Sequence, residues 1–408
     1  MKKYMIFAAV AALTLASCAK VETKPSTLED ESIPIGFSNY TPRSITKAGD
    51  TYVAGTELVT GKHFAVYAWR TDYGTFLGEN PGDPDFMDGV DVTYAGDTSD
   101  GKNNTYSPIK YWPSGETPKN LSFVAYYPYG AAGITAPTFA SGVGTYSFTA
   151  QSTAATMVDF CVSEVVNDQT YGNTNKGVSY KQTVNLPFHH QLTKVQFKFK
   201  KSTGLGDNIV VELLDAKLLG IKNAGTLTAS FTQNTNPGVN NIGTTATAWT
   251  GQTGAQTYEI FVNKVNPEYV ADPLSITNPV LLSESVTAVA NSDIFLMVPQ
   301  NMADDTQLLS VTWRIREYNN AANAETNDGV TGLVSEDIGH KTLEFKDDLV
   351  METWDDDDDP MTPEVPRSKN WVKNQFVTYT ATVGPKPILF TGDVTIWAPE
   401  QNGYFDVQ

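Results

Sequence analysis

Apolar and polar residues alternate along much of this chain, and the longest alternating stretch lies near its middle, from Gln182 to Lys200. Val184, Leu186, Phe188 and Leu192 share one phase, while Val195, Phe197 and Phe199 share the other. A period of two is the signature of a half-buried strand, so the pattern predicts one long strand with a bulge where the phase slips at Thr193–Lys194. Pro187 has no N–H to give a ladder, which predicts that this half runs along a sheet edge.

Other segments follow the same grammar. Ile33 to Phe37 is a short strand with its apolar residues in odd phase, and His63 to Trp69 is apolar on both faces, which predicts a central strand. Strands ending at Tyr111-Trp112 and running from Leu121 to Tyr127 are separated by Pro, Ser, Gly and Asn, a hairpin signal. Met157 to Val162 should put Val158, Phe160 and Val162 on one face and Asp159 and Cys161 on the other. Short apolar runs continue at Leu218–Ile221, Leu227–Phe231, Tyr258–Val262 and Ile294–Val298. Val311, Trp313 and Ile315 are then expected to face in, with Thr312, Arg314 and Arg316 facing out. Residues 70–105 are rich in Asp, Gly, Asn and Thr and read as loop. No stretch keeps a helical period for three turns. The expectation is an all-β protein with few or no helices, and 408 residues suggest two domains.

The start of the chain bears on where it goes. Lys2 and Lys3 precede an apolar run from Met5 to Leu15, too short to span a bilayer, which takes about 20 residues. It reads as a signal peptide over residues 1–17. Leu15-Ala16-Ser17-Cys18 resembles the lipobox of bacterial lipoproteins, in which the cysteine becomes the acylated first residue; an ordinary signal peptide with an incidental cysteine is the alternative. Residues 18–32 then form a polar linker. Cleavage before Cys18 removes Lys2 and Lys3 and takes the formal charge from −18 to −20, which argues against a nucleic-acid partner. Of the two cysteines, acylation of Cys18 would leave Cys161 without an intramolecular disulfide partner.

Candidate chemistry is sparse. Cys161 has no second cysteine or histidine close to it in sequence and reads as a small packed residue. His189 and His190 should point to opposite faces of their strand, with no nucleophile signature beside them. Asp83, Asp85, Asp88 and Asp91 flank Gly89 but miss the spacing of an EF-hand loop. Asp355 to Asp359 are five consecutive acids that repel one another and favour a solvated loop, with a surface calcium site as the alternative. Trp112, Phe123 and Tyr127 invite carbohydrate stacking, against which stands ordinary core packing. The reading is of a non-enzyme with no cofactor, no catalytic residue and no fixed metal site.

Several motifs together resemble one family. Tyr111-Trp112-Pro113, the strand end Ala125-Tyr126-Tyr127-Pro128, the run from Val184 to Val195, and the closing segments Tyr379–Val383, Ile388–Phe390 and Val394–Trp397 are similar to those of fimbrillins. These are the type V pilins and minor-fimbrillin-like lipoproteins of anaerobic bacteria. The resemblance implies two transthyretin-like β-sandwich domains, placed here at residues 33–201 and 202–408. It also implies an outer-membrane lipid anchor at Cys18, other pilin subunits as partners, and a protease that cuts after an arginine near the amino end. Arg43 is the single arginine before Arg70, so the cut is expected between Arg43 and Ser44, although Pro42 hinders some proteases and an ordinary surface arginine is the alternative. A donor strand from another subunit would fill the opened groove. At the carboxyl end Tyr404, Phe405 and Val407 are the apolar residues available for such exchange. Two functions follow: a fimbrial subunit supporting adhesion, or a monomeric surface lipoprotein that binds glycan.

Overall fold

A computed structural model describes residues 33–38, 61–72, 82–95, 104–113, 120–170, 183–234, 242–262, 279–285, 294–346, 370–385 and 389–396. The first strands are β1 (Gly36–Ser38), β2 (His63–Thr71), β3 (Met87–Thr93), β4 (Thr105–Tyr106), β5 (Asn120–Tyr127), β6 (Ile134–Ala140) and β7 (Val143–Thr149). Short strands follow: β8 (Cys161–Ser163), β9 (Val166–Gln169), β10 (Thr183–Asn185) and β11 (Phe188–His190), then the longer β12 (Thr193–Lys201). Two very long strands, β13 (Ile209–Thr232) and β14 (Thr244–Val262), precede β15 (Val280–Leu281), β16 (Phe295–Met297) and β17 (Leu308–Tyr318). A short α-helix, α1 (Ala321–Thr326), comes before β18 (Leu333–Glu344), β19 (Gln375–Val383) and β20 (Leu389–Ile396). The protein is all-β in the β-sandwich manner, as the periodicity predicts.

One sheet runs in the order β11-β8-β5-β2-β3-β4, with β9 also on β5; a second runs β16-β12-β19-β20; a third runs β18-β17-β13-β7-β6, with β14 and β15 also on β13. The first half of β13 packs Val211, Leu213, Ala216 and Leu218 against Val195, Phe197, Phe199, Val377 and Tyr379 of the second sheet. Its second half carries Leu227, Ala229 and Phe231 into another core, where they meet Tyr67, Trp69 and Tyr126 of the first sheet. One strand of 24 residues thus serves two sandwiches. Strands on either side of residue 201 share sheets, since β12 pairs with β16 and β19, and β13 pairs with β7. β2 is a central strand as expected. Ala65, Tyr67 and Trp69 face one core, and Phe64, Val66 and Ala68 face another.

Where the structure departs from the sequence expectations, the reasons are physical. The stretch from Gln182 to Lys200 is three strands in three sheets, with β10 on β1, β11 on β8 and β12 between β16 and β19. Pro187 breaks the ladder between β10 and β11, its carbonyl accepting from the Glu164 N–H at 2.8 Å, and the phase slip at Thr193–Lys194 marks the change of sheet from β11 to β12, not a bulge. Residues 70–105 hold β3, whose Met87 and Val92 are buried while Asp88 faces out. Gly89 in β3 has φ +61, and a Cβ there would sit 3.1 Å from the Tyr67 hydroxyl, so a strand passes where its composition reads as loop. Among the described residues β5 pairs with β2, β8 and β9, and no hairpin joins it to Tyr111-Trp112. The runs at 218–221 and 227–231 are parts of the single strand β13, and β8 begins only at Cys161.

The largest difference concerns Arg314 and Arg316. Both point away from the core that holds Val311, yet they are only 3% and 6% exposed. The turn after β17 folds α1 back over them: Asn320 caps the helix by accepting from the Asn323 N–H, and Ala324 packs with Val210 and Tyr318. Beneath this cover Arg314 Nε meets Glu212 Oε2 at 2.6 Å, and Arg316 Nε meets Glu336 Oε2 at 2.6 Å. Asn327 donates to Glu212 Oε1 at 2.8 Å and accepts from Tyr318, closing the network. Alternation told the face correctly and said nothing of a later segment that covers it.

Candidate functional site

The amino-terminal strand is held in a way that sets it apart. Ile35 and Phe37, two positions apart and therefore on one side, are 2% and 0% exposed. The Phe37 ring lies 5.5 Å from Tyr106, 5.9 Å from Phe123 and 6.5 Å from Phe64, the last two edge to face. On one side β1 runs parallel to β10, with Phe37 opposite Val184, and the Leu186 N–H donates to the Ser38 carbonyl at 2.7 Å. On the other side the Ile35 N–H donates to Lys110 O, and the Trp112 N–H donates to Ile33 O, both at 2.9 Å.

Two side chains complete the seat. Asn104 Nδ2 donates to the Phe37 carbonyl at 2.6 Å, and the Tyr106 hydroxyl donates to the Ile35 carbonyl at 2.7 Å. Burial pushes that hydroxyl's pKa up to about 12, so it keeps its proton at neutral pH. Every partner named here lies in β2, β5, 104–112 or 183–186, far away in sequence. Residues 33–38 therefore fill a slot whose walls belong to the rest of the chain, with backbone groups on both sides and an aromatic floor.

The sequence-predicted site residues Cys18, Arg43, Ser44, Tyr404, Phe405 and Val407 lie outside the described residues, as do Asp355 to Asp359. Arg43 follows the end of β1 by five positions. Trp112, Phe123 and Tyr127 are 5%, 0% and 5% exposed, so core packing accounts for them. Of the four acids around Gly89, Asp88 and Asp91 lie in β3 and Asp83 and Asp85 precede it: the Asp85 carboxylate accepts from the Arg70 N–H at 2.8 Å, and Asp91 meets His63 at 2.9 Å. His189 and His190 do diverge, the first toward Glu164 at 3.1 Å. Sequence reasoning missed the second. His190 lies opposite Cys161 across two paired strands, with its Nδ1 3.7 Å from the thiol sulfur. The only available signal was strand pairing, which a single sequence does not disclose.

The fold is an all-β sandwich that seats the strand at 33–38 between distant segments of chain, and among the described residues no helix is long and apolar enough to cross a membrane. The chain belongs to the fimbrillin-like family, whose sequence profile matches residues 46–397. Among solved structures it is similar to a fimbrial protein from Bacteroides vulgatus, with 18% identity, a TM-score of 0.53, and coverage of 90% of this chain and 99% of that one. It is also similar to the tip fimbrial protein Mfa3 from Porphyromonas gingivalis with a carboxyl-terminal truncation, at 8% identity and a TM-score of 0.33 over 84% of this chain and 98% of that one. No curated protein matches the chain in sequence.

Proposed function

We propose that this protein is a fimbrial subunit, exported as a lipoprotein acylated at Cys18 and assembled on the outer surface by strand exchange, in support of adhesion. The observation that carries this reading is the seat of residues 33–38. Cleavage between Arg43 and Ser44 would leave that strand held by side-chain packing and hydrogen bonds alone, free to depart with the lipid. Its departure would expose the Phe64, Tyr106 and Phe123 rings and strand the Leu186 N–H and the Lys110 carbonyl, a slot that asks for another strand.

A donor needs apolar residues two apart to replace Ile35 and Phe37. Phe405 and Val407 have that spacing, and Tyr404 would fall on the opposite side. The partners of this site are therefore other pilin subunits. The test is deletion of Tyr404 to Gln408. A folded, secreted, lipidated protein that no longer forms ladders on a gel run without boiling supports exchange by this end. Unchanged fibre incorporation assigns the chain a terminal place, where it receives a strand and gives none. Loss of the fold overturns the exchange role of these residues, and a stable monomer with affinity for a polysaccharide favours the glycan-binding alternative.

A further inference from the structure

The first sheet brings three ligand-type side chains to one buried point. Asp159 and Cys161 are two positions apart and share a side, and His190 sits directly opposite Cys161 in the β8–β11 pair. All three are 4% exposed or less. The His190 Nδ1 lies 2.7 Å from Asp159 Oδ2, the Cys161 thiol donates to the same oxygen at 3.4 Å, and sulfur and Nδ1 are 3.7 Å apart. Asp159 Oδ2 thus takes two donors while Oδ1, equally buried, finds no hydrogen-bond partner among the described residues. Buried carboxylate oxygens are rarely left in that state.

We propose that Asp159, Cys161 and His190 form a binding site for a zinc-class divalent ion. With bond lengths of about 2.3 Å to sulfur and about 2.1 Å to nitrogen and oxygen, a tetrahedral ion sets sulfur about 3.6 Å from each of the other two ligands. The observed 3.7 and 3.4 Å lie close to that. Only the His190–Asp159 distance of 2.7 Å must open, by about 0.7 Å, as a cation takes the place of the proton they share. Thiolate and imidazole select a borderline-soft ion over calcium or magnesium.

In the empty site the Cys161 thiol keeps its proton and directs it at Asp159 Oδ2. On binding, the thiol releases that proton to solvent and the imidazole carries its one N–H on Nε2. A divalent cation, a thiolate and a carboxylate then sum to zero net charge in an apolar surrounding. Cys161 also faces Tyr127 of β5, so the site spans three adjacent strands. The ion would pin β11, which follows β10, to the body of the sheet.

The test uses the full-length chain carrying Cys18→Ser, in which Cys161 is the single thiol. It is refolded with zinc chloride or with cobalt(II), so that burial does not bar entry. The expected result is about one metal ion per chain after gel filtration, a thiolate-to-cobalt charge-transfer band, and a rise in Tm with added zinc. Cys161→Ser and His190→Gln, with circular dichroism as the check on folding, should lower affinity by at least about 100-fold. Refolded protein that retains no zinc, cobalt bound without a thiolate band, or a folded Cys161→Ser that binds as the parent does would each overturn the site.

Discussion

The Tyr106 hydroxyl donates to the Ile35 carbonyl at 2.7 Å across 71 positions of chain, and accepts from the Lys110 N–H at 3.3 Å. One side-chain oxygen therefore links the amino-terminal strand to the wall of the slot that holds it. Tyr106→Phe leaves a buried carbonyl without that donor, a loss of about 1–3 kcal/mol. The expected readout is faster amide exchange at 35–38 in the unprocessed chain, with β13 and β17 unchanged. Equal exchange in variant and parent would show that the hydroxyl does not secure the strand.

Phe37→Ala should separate precursor from processed protein. Removing a fully buried ring that meets Phe64, Tyr106 and Phe123 is expected to destabilise the precursor by about 3–5 kcal/mol in denaturant unfolding. A chain that begins at Ser44 no longer contains residue 37 and must show no effect of the mutation, because both genes then yield the same protein. A precursor as stable as the parent would mean that the strand contributes little to its own seat.

Much of this was legible in the sequence. Two-residue alternation named β12 and β17, because period follows burial, while β2 and β5 were named by apolar residues on both faces and by the turn residues around them. It failed where one strand changes partners. β13 passes from one core to the next through Gly220 and Gly225, and the runs on either side read as separate strands. It failed again at β3, where outward Asp residues mask an inward Met87 and Val92. The slot was half visible: the phase of Ile33, Ile35 and Phe37 marked a strand, but its walls come from 104–112 and 183–186, and no local pattern records such pairings. The same limit hid His190 from Cys161.

The buried network under α1 gives a third expectation. Glu212 is 2% exposed and takes Arg314 at 2.6 Å, so Arg314→Met strands a carboxylate that Arg316, at 3.9 Å, only partly compensates. Single removal should cost about 3–5 kcal/mol, measured as a lower midpoint in urea. A combined Glu212→Leu and Arg314→Met change should recover a good part of that loss. Recovery of none would place the cost in packing under α1, not in the unpaired charge.

Asp215 supplies the pH dependence. Burial raises its pKa above the ordinary 3.8, against the pull of Lys217 at 3.4 Å, and its Oδ1 finds no hydrogen-bond partner among the described residues. A raised folded-state value means that the folded chain holds this proton more tightly than the unfolded chain. The favourable contribution is thus complete below about pH 4 and is lost as pH rises through the folded value. Asp215→Asn should therefore gain on the parent as pH goes from acid to neutral, measured by Tm across that range. A constant difference between the two would show that the carboxyl does not titrate abnormally.

In the proposed assembly residues 33–38 leave the subunit and a neighbour's strand replaces them. The most direct measurement is the first residue of chains taken from surface ladders, read by mass spectrometry of the amino-terminal peptide. The expected first residue is Ser44, with no peptide from residues 18–43 in the polymer. Polymerised chains that still begin at acylated Cys18 would contradict it.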